Sequence, residues 1–341
     1  MYRVGIVGLG NIAAGYSGPQ DAAPYTHAGG INHSSKVELA AVADISEDAR
    51  EKFRAKWGKC FPNTRYYKDF QEMLTAGGLD IVTVCTRGPH HHRALLEAIK
   101  AGPKAIFLEK PPTCSLAQMD EGTSAARAAS IPITVSYSRH WGPQVLRMSE
   151  LIRDGLVGKV TSVVGYCGGP FLSFSSHTTD MICQFAGYCP VAVFARGKVA
   201  ELDVPDGYEP EPELLSMVIE LENGVVGTQL GHDGDHGSFC CDVIGTDGRA
   251  CIPFYAPPSA RDKKGNAIDL ERYDLPGAAS PFKLAYEQIA AYLDGGALPD
   301  CTNDDFVAVH EICFAGIESV LTNRRTEIPN ENRTRTIFAN G

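Results

Sequence analysis

The sequence predicts two domains of different construction: an α/β domain with a doubly wound parallel sheet, then an α+β domain on an open, mostly antiparallel sheet. In the first part, apolar runs such as 81–85 (IVTVC) alternate with amphipathic segments, as in parallel strands that helices cover on both faces. Beyond about residue 140, segments of alternating polarity follow one another across turn signals, which is typical of antiparallel sheets. A chain of 341 residues suits two such domains.

The first domain is predicted over residues 1–136. Ser46 can accept from the backbone at the start of a helix, and Gly102-Pro103 ends another. A further helix holds His27. The predicted strands are 4–7, 37–43, 81–85, 105–108 and 133–135, and the other predicted helices are 46–57, 69–75, 91–101 and 115–129.

The second domain is predicted over residues 137–341, and its last two helices could return to the first domain. Asn223-Gly224 and Asp247-Gly248 are turn signals between strands. The Pro-containing polar stretch 257–281 is predicted to be a loop. The predicted strands are 160–166, 191–197, 214–221, 224–230, 238–244 and 250–254, and the predicted helices are 141–154, 281–293 and 303–322.

Composition excludes several classes of protein. The 31 basic against 41 acidic residues give a net charge of −10, which argues against a nucleic-acid binder and against docking on an anionic membrane. No window reaches the ~18 apolar residues of a membrane span, and Met1-Tyr2-Arg3 runs into a strand without a signal peptide. Eleven scattered cysteines, an odd number, are typical of reduced thiols. We therefore expect a cytoplasmic protein that acts on small molecules.

A glycine-rich turn follows the first strand. Gly8, Gly10 and Ala13 fit the pattern G-x-G-x-x-G/A, with Asn11 and Ile12 between the last two. The first glycine permits a tight turn, the second lets the backbone approach a pyrophosphate, and the small third residue allows close packing. This position favours a dinucleotide site, whereas the alternative is a strand-to-helix turn without a ligand.

Asp44 ends the second predicted strand. An acidic side chain there can accept from a ribose 2′-hydroxyl and repel a 2′-phosphate, which favours NAD over NADP without excluding NADP. Asp44 lies 36 residues beyond Gly8, against the usual ~20. We place the surplus at 15–25, between the glycine turn and the helix that holds His27. This insertion is either a surface loop or a flap near the cofactor.

Glu109-Lys110-Pro111-Pro112 ends the predicted strand 105–108. The carboxyl ends of strands in a doubly wound sheet form the ligand crevice. A lysine there can neutralise or steer a substrate hydroxyl, whereas the alternative is a surface lysine before a rigid proline turn.

Taken in order, the motifs resemble the glucose–fructose oxidoreductase, inositol dehydrogenase and MocA family over nearly the whole chain. The matching segments are VGIVGLGNIA at 4–13, VELAAVAD at 37–44, Cys85-Thr86 with His91, Glu109-Lys110-Pro111, SYSRHW at 136–141, His177-x-x-Asp180, ENGVVGT at 222–228 and IGTDGRA at 244–250.

The resemblance implies an NAD(P)-binding Rossmann domain and an α+β domain that often forms the oligomer interface. It puts the family's catalytic lysine on Lys110, its catalytic histidine on His177 and a trailing acid on Asp180. One position departs from the pattern. The family has an aspartate four residues before this histidine, where this chain has Ser173. Serine has no charge, so it cannot replace the aspartate as a charged member of the proton relay.

Residues for each ligand follow from the motifs and the resemblance. The predicted cofactor-binding residues are Gly8, Gly10, Asn11, Ile12, Ala13, Asp44, Thr86, His91, Glu109 and Lys110. The predicted substrate-binding residues are Tyr137, Arg139, Ser173, Asp180 and His232. No metal is predicted, because the consecutive residues His90–His92 cannot all face one point and the run 232–236 matches none of the common zinc-ligand spacings.

These residues predict an NAD(P)-dependent oxidoreductase that moves a hydride between nicotinamide and a sugar or cyclitol. His177 would serve as general base and Lys110 would stabilise alkoxide charge. One alternative is a carbonyl reductase, or an enzyme that recycles a tightly bound cofactor. Another is a dinucleotide-binding sensor without catalysis, which Ser173 motivates. The open sheet predicts a homo-oligomer, a dimer or a tetramer.

Overall fold

The computed structural model describes residues 1–199, 201–231 and 239–339. They form two compact units. The first unit comprises Met1–Thr113, Ala117–Ser136 and Ala278–Asn303, and the second comprises Cys114–Leu116, Tyr137–Gly277 and Asp304–Gly341. Within the described ranges, no helix combines the length and the apolar character that spanning a bilayer requires.

The first unit contains a six-stranded parallel sheet in the order β3-β2-β1-β4-β5-β6. This is the doubly wound order, and β1 and β4 meet at the point where the winding reverses. Every residue of β4, β5 and β6 is buried, which confirms the parallel sheet that their apolar runs predict. The strands are β1 (Tyr2–Val7), β2 (Val37–Ala43), β3 (Arg65–Tyr67), β4 (Ile81–Val84), β5 (Ala105–Glu109) and β6 (Ile133–Ser136).

The helices associated with this sheet agree with the predicted ones to within a few residues. Ser46 caps its helix by accepting from the Ala49 N–H, as predicted. Gly102 ends its helix in the left-handed conformation. The helices are His27–His33, Glu47–Trp57, Phe70–Thr75, Gly88–Ala101, Leu116–Ala129 and Pro281–Leu293, with a π-helical turn at Asn11–Gly15.

The second unit contains a ten-stranded open sheet in the order β16-β15-β14-β13-β7-β12-β11-β9-β17, with β8 paired to β11. Its pairs are antiparallel except β7 with β12, so the mostly antiparallel sheet is confirmed. The strands β10 and β18 pair separately. The strands are β7 (Val160–Tyr166), β8 (Gly169–Pro170), β9 (Pro190–Lys198), β10 (Glu209–Pro210), β11 (Glu213–Leu221), β12 (Val226–Leu230), β13 (Cys240–Gly245), β14 (Gly248–Pro253), β15 (Ser259–Asp262), β16 (Ala267–Ile268), β17 (Thr326–Glu327) and β18 (Ile337–Phe338).

Helices cover one face of this open sheet. A Cβ on Gly165 would lie 2.6 Å from a Thr178 methyl group, and one on Gly227 would lie 2.9 Å from Ile182, so both glycines permit close packing of the helix Ser176–Ala186. The other face exposes apolar side chains, about 40 % in each case: Phe194, Val218, Val226, Leu230 and Ile244. The homo-oligomer predicted from such a face stays a prediction. The remaining helices of this unit are Pro143–Arg153 and Asp304–Thr322, with a π-helical turn at Phe171–Ser175 and a 3₁₀ turn at Glu271–Tyr273.

Two parts of the predicted organisation were wrong or incomplete. The stretch 257–281 is not only a loop, because β15 and β16 extend the sheet there as an edge hairpin. Asp262 accepts from the N–H groups of Lys264 and Asn266 and so fixes the turn. The helix Ser176–Ala186 was missed, because all its residues but Gln184 are buried, so its polar residues do not mark an exposed face.

Candidate functional site

The glycine turn has the geometry that its sequence predicts. Gly8 has φ +91°, and a Cβ there would lie 2.7 Å from the Cys85 carbonyl oxygen, so only glycine fits. Ala13 is fully buried. Gly10 is exposed, a Cβ on it would meet nothing within 4 Å, and it lines a cavity of about 260 Å³. The turn therefore leaves open space beside its second glycine.

The two glycines predict opposite outcomes for the same substitution. Gly8→Ala is expected to lower the free energy of unfolding by roughly 1–3 kcal/mol, because it combines strain with a clash against main chain. Gly10→Ala is expected to keep wild-type stability and to weaken dinucleotide binding at least ~10-fold, because its methyl group occupies the approach of the pyrophosphate. Urea unfolding and a fluorescence titration with NADH measure the two effects. Unchanged NADH affinity in Gly10→Ala would contradict the assigned site.

The Asp44 carboxylate lies against this turn. Its Oδ2 accepts from the Leu9 N–H at 2.7 Å, and its Oδ1 accepts from the Ser46 N–H at 2.8 Å. Each carboxylate oxygen can accept a second hydrogen bond. Asp44 is therefore held in place by main chain and keeps the capacity to accept from ribose hydroxyls.

The insertion lies where the sequence predicts it, between the π-helical turn Asn11–Gly15 and the helix His27–His33. The Ser17 hydroxyl accepts from the Tyr25 N–H at 2.7 Å and so closes the base of the segment. Ser280 donates to the Pro24 carbonyl at 2.5 Å. The role of the insertion as a flap stays a prediction.

Thr86 and His91 lie at the carboxyl end of β4. The two ring nitrogens of His91 lie 2.6 Å from the Thr86 and Pro111 carbonyl oxygens, and burial lowers the pKa of His91 although these hydrogen bonds raise it. His91 thus lies between the two loops that follow β4 and β5, and its neutral form donates to one of the two carbonyl oxygens. The Thr86 Oγ1 is buried and has no hydrogen-bond partner within the described part of the chain. An orphan hydroxyl beside Gly8 fits a ligand that supplies the missing partner.

Glu109 ends β5 as one member of a buried polar chain that the sequence did not reveal. Its Oε1 lies 2.8 Å from His27 Nε2, His27 Nδ1 lies 3.0 Å from the Tyr286 hydroxyl, and that hydroxyl lies 2.8 Å from Thr83 Oγ1. Burial raises the pKa of Glu109, but the His27 hydrogen bond and the charges of His27 and Lys110 outweigh it, so the pKa is below its ordinary value. Glu109 therefore stabilises the fold at neutral pH, and this contribution is lost as the pH falls through its folded-state pKa.

In the second unit, His177 is buried on the helix Ser176–Ala186. The Arg139 guanidinium donates to its Nε2 at 3.0 Å and lies over the Phe239 ring at 4.1 Å. The Tyr137 ring is buried and meets the imidazole edge to face, with centroids 6.3 Å apart. Because a guanidinium only donates, Nε2 accepts and a neutral His177 carries its proton on Nδ1. His177, Arg139 and Tyr137 are thus brought together, as the predicted site requires.

Asp180 lies one turn further along this helix and is fully buried. Its Oδ2 lies 3.0 Å from His140 Nδ1, and its Oδ1 accepts from the Tyr188 hydroxyl at 3.0 Å. Since both oxygens have protein partners, a direct contact with substrate stays a prediction. His232 lies outside the described residues.

Ser173 contacts an acid that sequence reasoning missed. Its hydroxyl donates to Glu211 Oε2 at 2.5 Å, and the N–H groups of Leu172 and Ser173 donate to Glu211 Oε1. Glu211 is 8 % exposed and lies 38 residues further along the chain. A carboxylate therefore contacts the Ser173 side chain, and it comes from the segment before β11.

Comparisons with known proteins agree with this architecture. The model of an oxidoreductase family with an NAD-binding Rossmann fold matches residues 2–137. The chain is 25 % identical to a myo-inositol 2-dehydrogenase of Thermotoga maritima over 239 residues, 66 % of each protein. It is 24 % identical to the rhizopine catabolism protein MocA of Rhizobium meliloti over 93 % of this chain and 94 % of that protein.

A solved structure shows the same fold along nearly the whole chain. It is an oxidoreductase from Agrobacterium radiobacter in complex with NAD+, L-tartaric acid and magnesium, with a TM-score of 0.76 and 16 % identity. The match covers 96 % of this chain and 98 % of that one.

Proposed function

Because the chain belongs to the glucose–fructose oxidoreductase, inositol dehydrogenase and MocA family of NAD-binding oxidoreductases, we propose that it oxidises a carbinol of a sugar, sugar derivative or cyclitol with NAD. The observation that carries the proposal is the set of residues at the carboxyl ends of the strands β1, β2 and β4. Gly10 leaves space for a pyrophosphate, Asp44 is held beside it to accept from a ribose, and Thr86 has an unsatisfied hydroxyl. These residues fit NAD.

The substrate class follows from the relatives and from the second unit. A relative that matches 66 % of this chain is named for myo-inositol, a cyclitol. Arg139 and Tyr137 beside His177 offer donors and a ring face, which suit a polyhydroxylated substrate. Which sugar or cyclitol binds depends on hydrogen-bond geometry that no motif encodes.

We assign the proton chemistry to two side chains. NAD, when bound, supplies the hydride acceptor. His177 accepts the hydroxyl proton on Nε2, which requires the substrate hydroxyl to replace the Arg139 hydrogen bond. Lys110 stabilises the negative charge that develops on the same oxygen. In the reverse direction, His177 returns the proton to a ketone.

The sensor alternative loses its motive in Glu211. Ser173 removes an acid from the family pattern, but the Glu211 carboxylate contacts the Ser173 hydroxyl, and we propose that it replaces the missing charge. The carbonyl reductase, or the enzyme that recycles a tightly bound cofactor, differs from the dehydrogenase in two measurable respects: its cofactor copurifies with the protein, and it acts only with a carbonyl acceptor. NADP as cofactor, the homo-oligomer and the cytoplasmic location stay predictions.

The test is a kinetic assay of purified protein with NAD and a panel of cyclitols, sugars and glycosides. We expect reduced nicotinamide to accumulate with at least one polyol. Release of nucleotide on unfolding, together with activity only towards a carbonyl acceptor, would favour the reductase. A protein that binds NAD but turns over no polyol and no carbonyl compound would contradict both readings.

Asp44→Ser is expected to raise the KM for NAD by roughly 10–100-fold, because charge-assisted hydrogen bonds of the carboxylate to the ribose are lost. The preference for NAD over NADP should shrink, because the repulsion of a 2′-phosphate is removed. Steady-state kinetics with both cofactors measure this ratio. Glu47→Gln, an exposed acid in the first turn of the next helix, is the control and should leave the ratio unchanged. An unaltered ratio in Asp44→Ser would contradict the assignment.

A further inference from the structure

We infer that His27 is a positioning residue of the proposed reaction, because its hydrogen bond keeps the Glu109 carboxylate ionised beside Lys110. This rests on the proposed function for the role of Lys110. His27 itself belongs to no motif, and it lies two residues beyond the insertion 15–25.

The geometry leaves the His27 imidazole little freedom. The side chain is fully buried, and its ring packs against Phe107 and Phe282 with centroids 4.9 Å and 4.5 Å away. Glu109 can only accept, so Nε2 carries a proton in every state. Tyr286 donates to Nδ1 when the imidazole is neutral and accepts from it when the imidazole is charged, and Thr83 completes either arrangement by rotating its hydroxyl.

Few charges act on Glu109 within the first unit. The titratable groups that face it are His27, Cys85, His91, Lys110 and Tyr286. Burial raises the pKa of Cys85 and of Tyr286 well above their ordinary values and lowers that of His91, so these three stay neutral near pH 7. Of these titratable groups, His27 and Lys110 are therefore the ones that offset the burial of this carboxylate.

The coupling between Glu109 and Lys110 acts in both directions. The Lys110 charge lowers the pKa of Glu109, so an ionised Glu109 must favour the protonated form of Lys110. Glu109 Oε2 also accepts from the Lys110 N–H at 3.2 Å and so fixes the start of that residue. If His27 is removed, the buried carboxyl loses the His27 donor and keeps the longer hydrogen bond from the Lys110 N–H. We therefore expect the carboxyl to take up a proton and Lys110 to lose its negative neighbour.

The experiment follows the titration of the Lys110 side chain directly. All lysines are reductively methylated with ¹³C-formaldehyde, which preserves their charge, and the Lys110 resonance is identified by its absence in Lys110→Arg. Its midpoint is then measured by NMR between neutral and alkaline pH. The variants are Glu109→Gln, His27→Phe and His27→Gln, and the control is His33→Gln on the same helix.

Glu109→Gln and His27→Phe are each expected to lower the Lys110 midpoint by about one pH unit or more. His27→Gln keeps an N–H donor for Glu109 and should stay close to wild type, as should His33→Gln. If His27→Phe does not fold, His27→Leu, which also lacks a donor, takes its place, and Glu109→Gln tests the coupling to Lys110 by itself. An unchanged Lys110 midpoint in folded Glu109→Gln would overturn the inference.

A kinetic arm separates this inference from the proposed function. With an active substrate, His27→Phe should lower kcat at least ~10-fold with little change in KM, because the loss lies in charge stabilisation rather than in binding. The NMR titration needs neither substrate nor cofactor. A shifted Lys110 midpoint in a protein without turnover would therefore support the coupling and contradict the proposed function. Turnover with an unchanged Lys110 midpoint would support the proposed function and contradict the coupling.

Discussion

Lys110→Ala is expected to reduce kcat/KM by roughly 10²–10⁴-fold while leaving the fold intact. In the proposed mechanism, the ammonium group stabilises charge on the substrate oxygen, and alanine leaves nothing to replace it. Steady-state kinetics measure the loss, and thermal unfolding and NADH titration exclude a structural cause. Lys104→Ala is the matched control, because Lys104 is exposed and lies just before the first residue of β5, whereas Lys110 lies just after the last.

A Lys110→Ala enzyme with undiminished turnover would remove Lys110 from the reaction. The fold and the nucleotide site would stand, but the chemistry would have to be assigned to other side chains. A loss that appears only in KM would indicate a binding role instead.

Ser173→Asp, which restores the family residue, is expected to destabilise the protein by roughly 2–4 kcal/mol rather than to improve it. The new carboxylate would meet Glu211, which now accepts from the Ser173 hydroxyl in a largely buried position. The like charge raises the pKa of one carboxyl of the pair above that of an unfolded carboxyl. The deficit should therefore be greatest at neutral and higher pH and should shrink as the pH falls.

Urea unfolding at several pH values measures this effect, and a second variant isolates its cause. Ser173→Asp combined with Glu211→Gln has one carboxylate again and should recover most of the lost stability. It should also be more active than Ser173→Asp alone, because the contact between residues 173 and 211, which holds the start of the helix that carries His177, is restored. A stable, more active Ser173→Asp single variant would show that Glu211 does not supply the missing acid.

Local signals predicted the parts of the site that depend on backbone geometry. The turn at Gly8 requires a glycine because its φ is positive, and the glycine spacing of the motif predicts this. Asp44 follows a strand whose mostly apolar residues predict that it is buried. The fold class could be predicted for the same reason, since strands buried on both faces must be apolar throughout.

The parts that could not be predicted are pairings between distant residues. His27 meets Glu109 across 82 positions and Tyr286 across 259, and Ser173 meets Glu211 across 38. Nothing local distinguishes a histidine that pairs with a buried carboxylate from one at the surface. The helix that carries His177 was missed because nearly all its residues, polar ones included, are buried. The hairpin of β15 and β16 was missed because its strands are only four and two residues long.

Direct transfer of hydride from the substrate carbon is the central claim, and deuterium transfer tests it most directly. The enzyme is incubated with NAD and a cyclitol deuterated at its ring carbons, and the reduced cofactor is analysed by mass spectrometry and NMR. We predict one deuterium at nicotinamide C4 for each molecule of ketone formed. Ketone formation with unlabelled reduced cofactor and deuterium in the solvent would contradict the account.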